Sequence, residues 1–414
     1  MTTAEVLKNL RRGNSVQIIE TLLQRFKDEI GPSSQPWSSG LWLMFISEAL
    51  EIDRIEGLRR LPDSRGASWD SNKACLPTPR IVHRREIKSW IDMSTQRFSA
   101  ELLLIADGMG SGKTSLAHSI CQQAQKDGCL VACFFFSRLR AEESTSRHFF
   151  GSLIRGLCRL NRTVRDEIAL ILQKDDSLAV APPSRQLQEI ILPICRVLPR
   201  KVPLFVVIDA LDEDPDTELL TILQDGISLL PSNLCLIATT RPEAGIMSRL
   251  EGRSHVRRLP FSLVQGKDTL QDIHRHIQER LRNPPFQETI FSNKLVKDFV
   301  DRSEGVFLWA EVILAYLEDS LYRDKDLQDI IASPQGAQSH PDAEAKLDDL
   351  YGQILMKLRW SDERLARAYK TFMGAIVTSK EPISLKALAA LYAHDRIGRR
   401  NSEASSLTAR QLLP

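Results

Sequence analysis

Asp107-Gly108-Met109-Gly110-Ser111-Gly112-Lys113-Thr114 is the stretch that decides the fold. It follows the apolar run Leu102-Leu103-Leu104-Ile105-Ala106 and precedes the helix-like Leu116-Ala117-His118-Ser119-Ile120. A strand, a glycine-rich turn closing on Lys-Thr and then a helix make a phosphate-binding loop. Glycines let several backbone N–H groups turn inward as an anion nest. The helix behind them presents unpaired N–H groups and the positive end of its dipole. Gly108, Gly110, Ser111, Gly112, Lys113, Thr114 and Ser115 are therefore the expected nucleotide contacts. Lys113 would bring a point charge to the β- and γ-phosphates, and the Thr114 hydroxyl would ligate Mg²⁺. One position departs from the pattern, because Asp107 stands where a Gly or Ala is usual. A carboxylate facing phosphate at ~8 Å would repel it by about 2 kcal/mol, about a 30-fold weakening, at an effective dielectric of ~20. Two readings stay open: a working loop with Asp107 turned to solvent at the strand exit, or a loop that has lost its ligand.

Further along, Leu204 to Glu213 is an unbroken apolar run ending in acids (LFVVIDALDE). Such a run reads as a strand buried on both faces of a parallel sheet. Asp209 would then emerge at the strand's carboxyl end, where open α/β sheets place their ligands, and would hold Mg²⁺. Asp212 and Glu213 are the candidates for orienting an attacking water. The plainer reading is a solvated acidic loop, since Asp214 and Asp216 follow; the upstream Lys113-Thr114 loop favours the catalytic one. A third apolar run, Asn233 to Ala238, ends in Thr239-Thr240-Arg241-Pro242-Glu243 at the same sheet edge. There Thr239, Thr240 and above all Arg241 are expected to sense a γ-phosphate.

Taken in order, these segments resemble the NACHT subgroup of the STAND P-loop NTPases, in its fungal form. The small residue after the metal-binding Asp, followed by two acids (Asp209-Ala210-Leu211-Asp212-Glu213), is that subgroup's mark. Leu236 to Glu243 (LIATTRPE), Leu130 to Arg138 (LVACFFFSR), Gly66-Ala67-Ser68-Trp69-Asp70, and Cys75-Leu76-Pro77 with Arg80 match other parts of its pattern, with Thr78 in place of a Gly. Downstream, Asp272-Ile273 with Ile277, and Gly305-Val306-Phe307-Leu308-Trp309-Ala310, match its helical region. The resemblance spans roughly residues 66 to 391. It implies ATP (or GTP) with Mg²⁺ as ligand, slow hydrolysis, a switch between nucleotide states and homo-oligomerisation in the ATP state. It also implies an unidentified signalling partner and a role in innate immunity or self/non-self recognition.

The bulk properties fit such a protein. The chain has 414 residues, 43% of them hydrophobic, which gives ample core for two to four domains. A net charge of +2 supplies no field directed at nucleic acid or membrane, and neither partner is expected. No apolar run reaches the ~18 residues needed to span a bilayer, and the first twelve residues lack the apolar core of a secretory signal. The 7 cysteines lie scattered in apolar segments, as reduced core residues of a cytoplasmic protein. Two histidines, His274 and His276, point to different sides of a helix and share no metal.

The expected architecture is α/β: a P-loop NTPase parallel sheet flanked by helices, then a helical lid region and a partial winged-helix domain. Strands are expected near 101–106, 130–136, 204–209 and 234–239, with 256–259 as a polar edge strand. The 149–198 insert reads as helical, broken at Ala181-Pro182-Pro183. The domain reading is a helical segment at 1–65 with an apolar stripe from Ile19 to Ile30, the nucleotide-binding domain at 66–260, the helical lid at 261–345, and the winged-helix start with a polar tail at 346–414. The polar tail reads as a chain truncated before the C-terminal repeats that the resembled proteins carry. A second function class stays open beside the switch, a non-hydrolysing NACHT-like scaffold with weakened or lost nucleotide binding.

Overall fold

The computed structural model describes residues 58–64, 66–74, 81–93, 100–140, 142–214, 216–259, 267–333, 343–379, 383–384, 386–388 and 390. The expected N-terminal stripe from Ile19 to Ile30 and the polar tail lie outside them, as does most of the winged-helix start.

Five parallel strands form the centre: β1 (Glu101–Ala106), β2 (Leu130–Phe135), β3 (Leu204–Asp209), β4 (Leu234–Thr240) and β5 (Val256–Leu259). Their order is β2-β3-β4-β1-β5, so β4 separates the loop strand β1 from the acid strand β3. Period-two alternation splits each central strand between two cores. Leu102, Leu104, Val206, Ile208, Leu234 and Leu236 enter one cluster, while Leu103, Ile105, Phe205, Val207, Cys235 and Ile237 enter the other. With both faces covered, β3 and β4 are apolar until their carboxyl ends, where Asp209 and Thr239-Thr240 stand, and all their residues are buried. Each fully buried Leu, Ile or Val contributes about 1.5–3 kcal/mol. The outer strand β5 exposes Arg257 and Arg258, as a sheet edge tolerates.

Among the longer helices, α1 (Ile81–Asp92) and α2 (Lys113–Lys126) supply the second cluster. The first is covered by α3 (Ser146–Leu160), α4 (Arg162–Lys174), α5 (Thr217–Asp225) and α6 (Ala244–Leu250). Helix α3 packs directly on the backbone of β2: a Cβ on Gly156 would sit 1.8 Å from the Val131 carbonyl oxygen. The insert breaks where expected, and Pro183 starts a short helix at its first position, where a missing N–H costs nothing. One feature was not expected. Leu187–Ile191 is a π turn in which the Leu192 N–H reaches back five residues to the Leu187 carbonyl. Pro193 explains it, because it has no N–H for the carbonyl four residues earlier, and its ring pushes that turn wider.

After the sheet the chain is helical: α7 (Lys267–Arg282), α8 (Asn293–Ser303), α9 (Phe307–Glu318), α10 (Arg323–Ala332), α11 (Ala343–Met356) and α12 (Glu363–Thr378). Helices α7 to α11 share a third core around Ile273, Phe299, Trp309, Ile313 and Leu350. Lys346 is buried in it, its ammonium 2.6 Å from Glu304 and over the Trp309 ring. A buried cation needs such partners.

Candidate nucleotide site

Every strand that feeds the site runs in the same direction, so the carboxyl ends of β1, β3 and β4 open on one edge. The glycine loop leaves β1 there. Gly110 and Gly112 both adopt left-handed backbone (φ 74° and 89°), which a side chain would strain. Gly112 is the N-cap of α2 and no side chain caps that helix, so its first-turn N–H groups face the loop. Lys113 folds over the loop and donates to the carbonyls of Asp107 and Gly108, each at 2.8 Å. Ser111 Oγ donates to the Gly108 carbonyl at 3.0 Å. Thr114 is exposed and Ser115 half-buried, its carbonyl accepting from Ser119 Oγ.

The Asp107 carboxylate is not turned to solvent. It is half-buried, and its Oδ1 accepts the Gly108 N–H at 2.7 Å. It also heads the charges that support the Lys113 ammonium: burial pushes the lysine below its ordinary range, while Asp107, Asp212 and Asp209 oppose that fall. The odd residue of the loop thus acts as a local counter-ion.

From β3, Asp209 arrives almost fully buried, at 2% exposure. Burial raises its pKa, and hydrogen bonds from Thr239 and Thr114 together with the Lys113 charge pull the other way. Thr239 Oγ1 donates to Asp209 Oδ1 at 2.6 Å and accepts the Ala210 N–H at 3.0 Å. Ala210 is left-handed (φ 56°), and the small residue there turns the chain sharply into Leu211–Glu213. Asp212 is buried and tied to Arg241: Oδ1 accepts the Arg241 N–H at 2.9 Å, and Oδ2 lies 3.3 Å from its Nε. Glu213 is half-buried and its Oε2 accepts the Arg138 N–H at 3.0 Å.

Two assignments change. Thr239 and Thr240 are buried and bonded internally, Thr240 Oγ1 donating to the Arg241 carbonyl. Thr239 fixes the Asp209 carboxylate, and neither hydroxyl is presented to a ligand. Arg241 does reach the site edge, but its guanidinium is held by Asp212. Three participants were quoted only within stretches that match the resembled family, not as site residues. Arg138, just past β2, donates through Nη2 to the Asp212 carbonyl at 2.9 Å and so joins three strand ends. Leu308 and Val306 are the others. The Leu308 N–H, in the first turn of α9, donates to the Gly110 carbonyl at 3.3 Å. No side chain caps α9, so the loop itself serves as its cap. A Cβ on Gly110 would lie 2.9 Å from Leu308 Cβ and 3.1 Å from Val306 Cγ1, and Met109 packs into the helical core.

Parallel sheet, glycine loop and following helix make a P-loop NTPase-like fold. Asp209 and the Thr114 hydroxyl are hard oxygen donors of the kind Mg²⁺ takes, the ion keeping waters and phosphate oxygens for its other positions. A divalent cation there would also favour the ionised form of Asp209 that burial opposes.

The family model described as nephrocystin 3, N-terminal, matches residues 79–241, from ahead of α1 to Arg241 within the third motif. A solved structure described as "Structure of Drosophila ORC bound to DNA" is similar at 9% identity and a TM-score of 0.34, over 93% of this chain and 88% of that chain. No sequence among the curated proteins matches. No helix among the described residues is long and apolar enough to cross a membrane.

Proposed function

We propose that this chain is a nucleotide-dependent signalling switch of the NACHT/STAND type, binding ATP (or GTP) with Mg²⁺ and hydrolysing it slowly. The observation that carries the reading is the hydrogen bond from Leu308 to Gly110. It joins the phosphate loop to the helical region, so a ligand that orders the loop also bears on where α9 docks. In this reading Gly108, Gly110, Ser111, Gly112 and Ser115 line the phosphates through their backbones, and Lys113 leaves the loop carbonyls to meet phosphate oxygen. Thr114 and Asp209 would hold Mg²⁺, which supplies charge neutralisation at the transferred phosphoryl group. Glu213 or Asp212 would orient water. Arg241 would exchange its Asp212 partner for a γ-phosphate, reporting which nucleotide is present. The domain division at residues 65, 260 and 345, oligomerisation in the ATP state and a part in innate immunity belong to the same reading by resemblance.

A second reading, the non-hydrolysing scaffold, draws on the Asp107 carboxylate, which already occupies one loop N–H. The two separate on one experiment: nucleotide released on denaturing purified protein, compared with Lys113→Ala. We expect ADP or ATP from the wild type, and Mg-ATP affinity lowered about 10- to 100-fold in the variant, the worth of a hydrogen bond to a charged group. Wild-type protein that releases no nucleotide and takes up no Mg-ATP leaves only the scaffold.

A further inference from the structure

Two arginines converge on one buried acid at the sheet edge. The Asp212 side chain is only 3% exposed, and an anion so placed needs a cation or strong donors beside it. Its Oδ1 accepts the Arg241 backbone N–H at 2.9 Å, and its Oδ2 lies 3.3 Å from Arg241 Nε. The backbone bond stays wherever the Arg241 side chain goes, but the positive charge does not. When the guanidinium moves to a γ-phosphate, Oδ2 loses its cation and remains buried. Removing one partner of a buried pair costs more than a single charged hydrogen bond returns. The exchange therefore needs a second cation to take the vacated place.

Lys113 and Asp212 lie close enough for their charges to act on each other, but the lysine is the group that the phosphates engage. Arg138 is the cation left over. Its Nη2 donates to the Asp212 carbonyl at 2.9 Å, so the guanidinium already stands beside the residue to be neutralised. The other tie of this side chain is light. It is 64% exposed, and the Glu243 carboxylate lies 3.7 Å from Nη2, a surface pair of small worth. The stem is fixed instead, because the Arg138 backbone N–H donates to Glu213 Oε2 at 3.0 Å. With five donors in a fork, the guanidinium can keep the carbonyl with one and reach Oδ2 with another.

We propose that Arg138 is the replacement counter-ion of Asp212, a positioning residue that frees Arg241 for the γ-phosphate and so sets the preference for a nucleoside triphosphate over a diphosphate. The inference rests on the switch reading above. A diphosphate offers Arg241 no γ-phosphate, so Arg241 stays on Asp212 and Arg138 has nothing to compensate. The charge of Arg138 thus acts on triphosphate binding alone.

The test titrates the full chain calorimetrically with Mg-ADP and with the Mg complex of the non-hydrolysable β,γ-imido analogue of ATP. Arg138→Gln keeps a donor for the Asp212 carbonyl without the charge, and Arg138→Lys keeps the charge. The glutamine variant should lose at least about tenfold of the triphosphate preference, the worth of one hydrogen bond to a charged group, with Mg-ADP affinity unchanged. The lysine variant should restore most of it. In Asp212→Asn no anion is left to compensate, so adding Arg138→Gln should change the preference by less than about twofold. Should Asp212→Asn fail to fold, the glutamine and lysine variants decide between them. An unchanged preference in Arg138→Gln, an equal loss for both nucleotides, or equal losses in the glutamine and lysine variants overturns this inference and leaves the switch reading standing. Wild type that takes up neither nucleotide brings down the switch reading, and this inference with it.

Discussion

At the scale of single residues, charge compensation and local backbone shape explain most of what the site contains. Asp107, the residue that least fits a phosphate loop, stabilises the ammonium that a phosphate would otherwise meet. Ala210 shows why a small residue follows Asp209: a left-handed turn penalises a branched side chain. His118 gives a prediction at this scale. It is buried in α2, stacked on Phe135, and its Nδ1 accepts the Asp70 N–H at 3.0 Å. Burial lowers its pKa to about 4, with Lys73 adding to the fall. Between that value and the ordinary 6.5 the unfolded chain binds a proton that the folded one does not. The stability that neutral His118 contributes is thus complete above pH 6.5 and is lost as the pH falls towards 4. A urea midpoint measured at pH ~7.5 and at pH ~5 should fall in wild type and fall less in His118→Phe. Equal falls in both proteins would assign the pH dependence elsewhere.

Among the elements, the strands were the most legible part of the chain. Runs such as Leu204 to Asp209 must be continuous because both faces are covered, and that requirement is written locally. The acids and the glycine loop were legible for a related reason, since each sits where its own strand ends. The internal bonds of Thr239 were not, because its partner Asp209 lies on a neighbouring strand and only the pairing of β3 with β4 brings them together. Arg138 was missed on the same grounds: its segment reads as an ordinary strand end until β2 and β3 pair. The π turn did carry a local signal, Pro193 inside a helical run, and the widening follows from its missing N–H. Packing of helix on strand gives the prediction here. Gly156→Ala drives a methyl into the Val131 carbonyl and should lift α3 from β2, at a cost of about 1–3 kcal/mol or more. Chemical denaturation measures it, and a change below ~0.5 kcal/mol, the usual effect of a surface substitution, would mean that α3 shifts freely on the strand.

Across the whole molecule, the loop and the helical region meet through one backbone bond and a few side chains. Leu308→Pro removes that bond, and Leu308→Ala, which keeps the N–H while losing most of the leucine side chain, is its control. Proline is tolerated in a helix's first turn. Relative to Leu308→Ala, the proline variant should bind Mg-ATP about 5- to 10-fold more weakly, the worth of one hydrogen bond. Calorimetric titration gives the affinity, and hydrogen exchange at the Leu308 amide of wild type, with and without Mg-ATP, gives the reverse effect, since coupling of this kind is reciprocal. Unchanged affinity with unchanged exchange would leave α9 a passive neighbour. The bond also bears on how the protein is made. Its ends sit at positions 110 and 308 of the chain. A ribosome adding about 5–20 residues each second completes the five strands well before α9 emerges. The nascent sheet therefore displays a finished glycine loop whose outer carbonyl still awaits its donor, and loop and helix can fit together only late in synthesis.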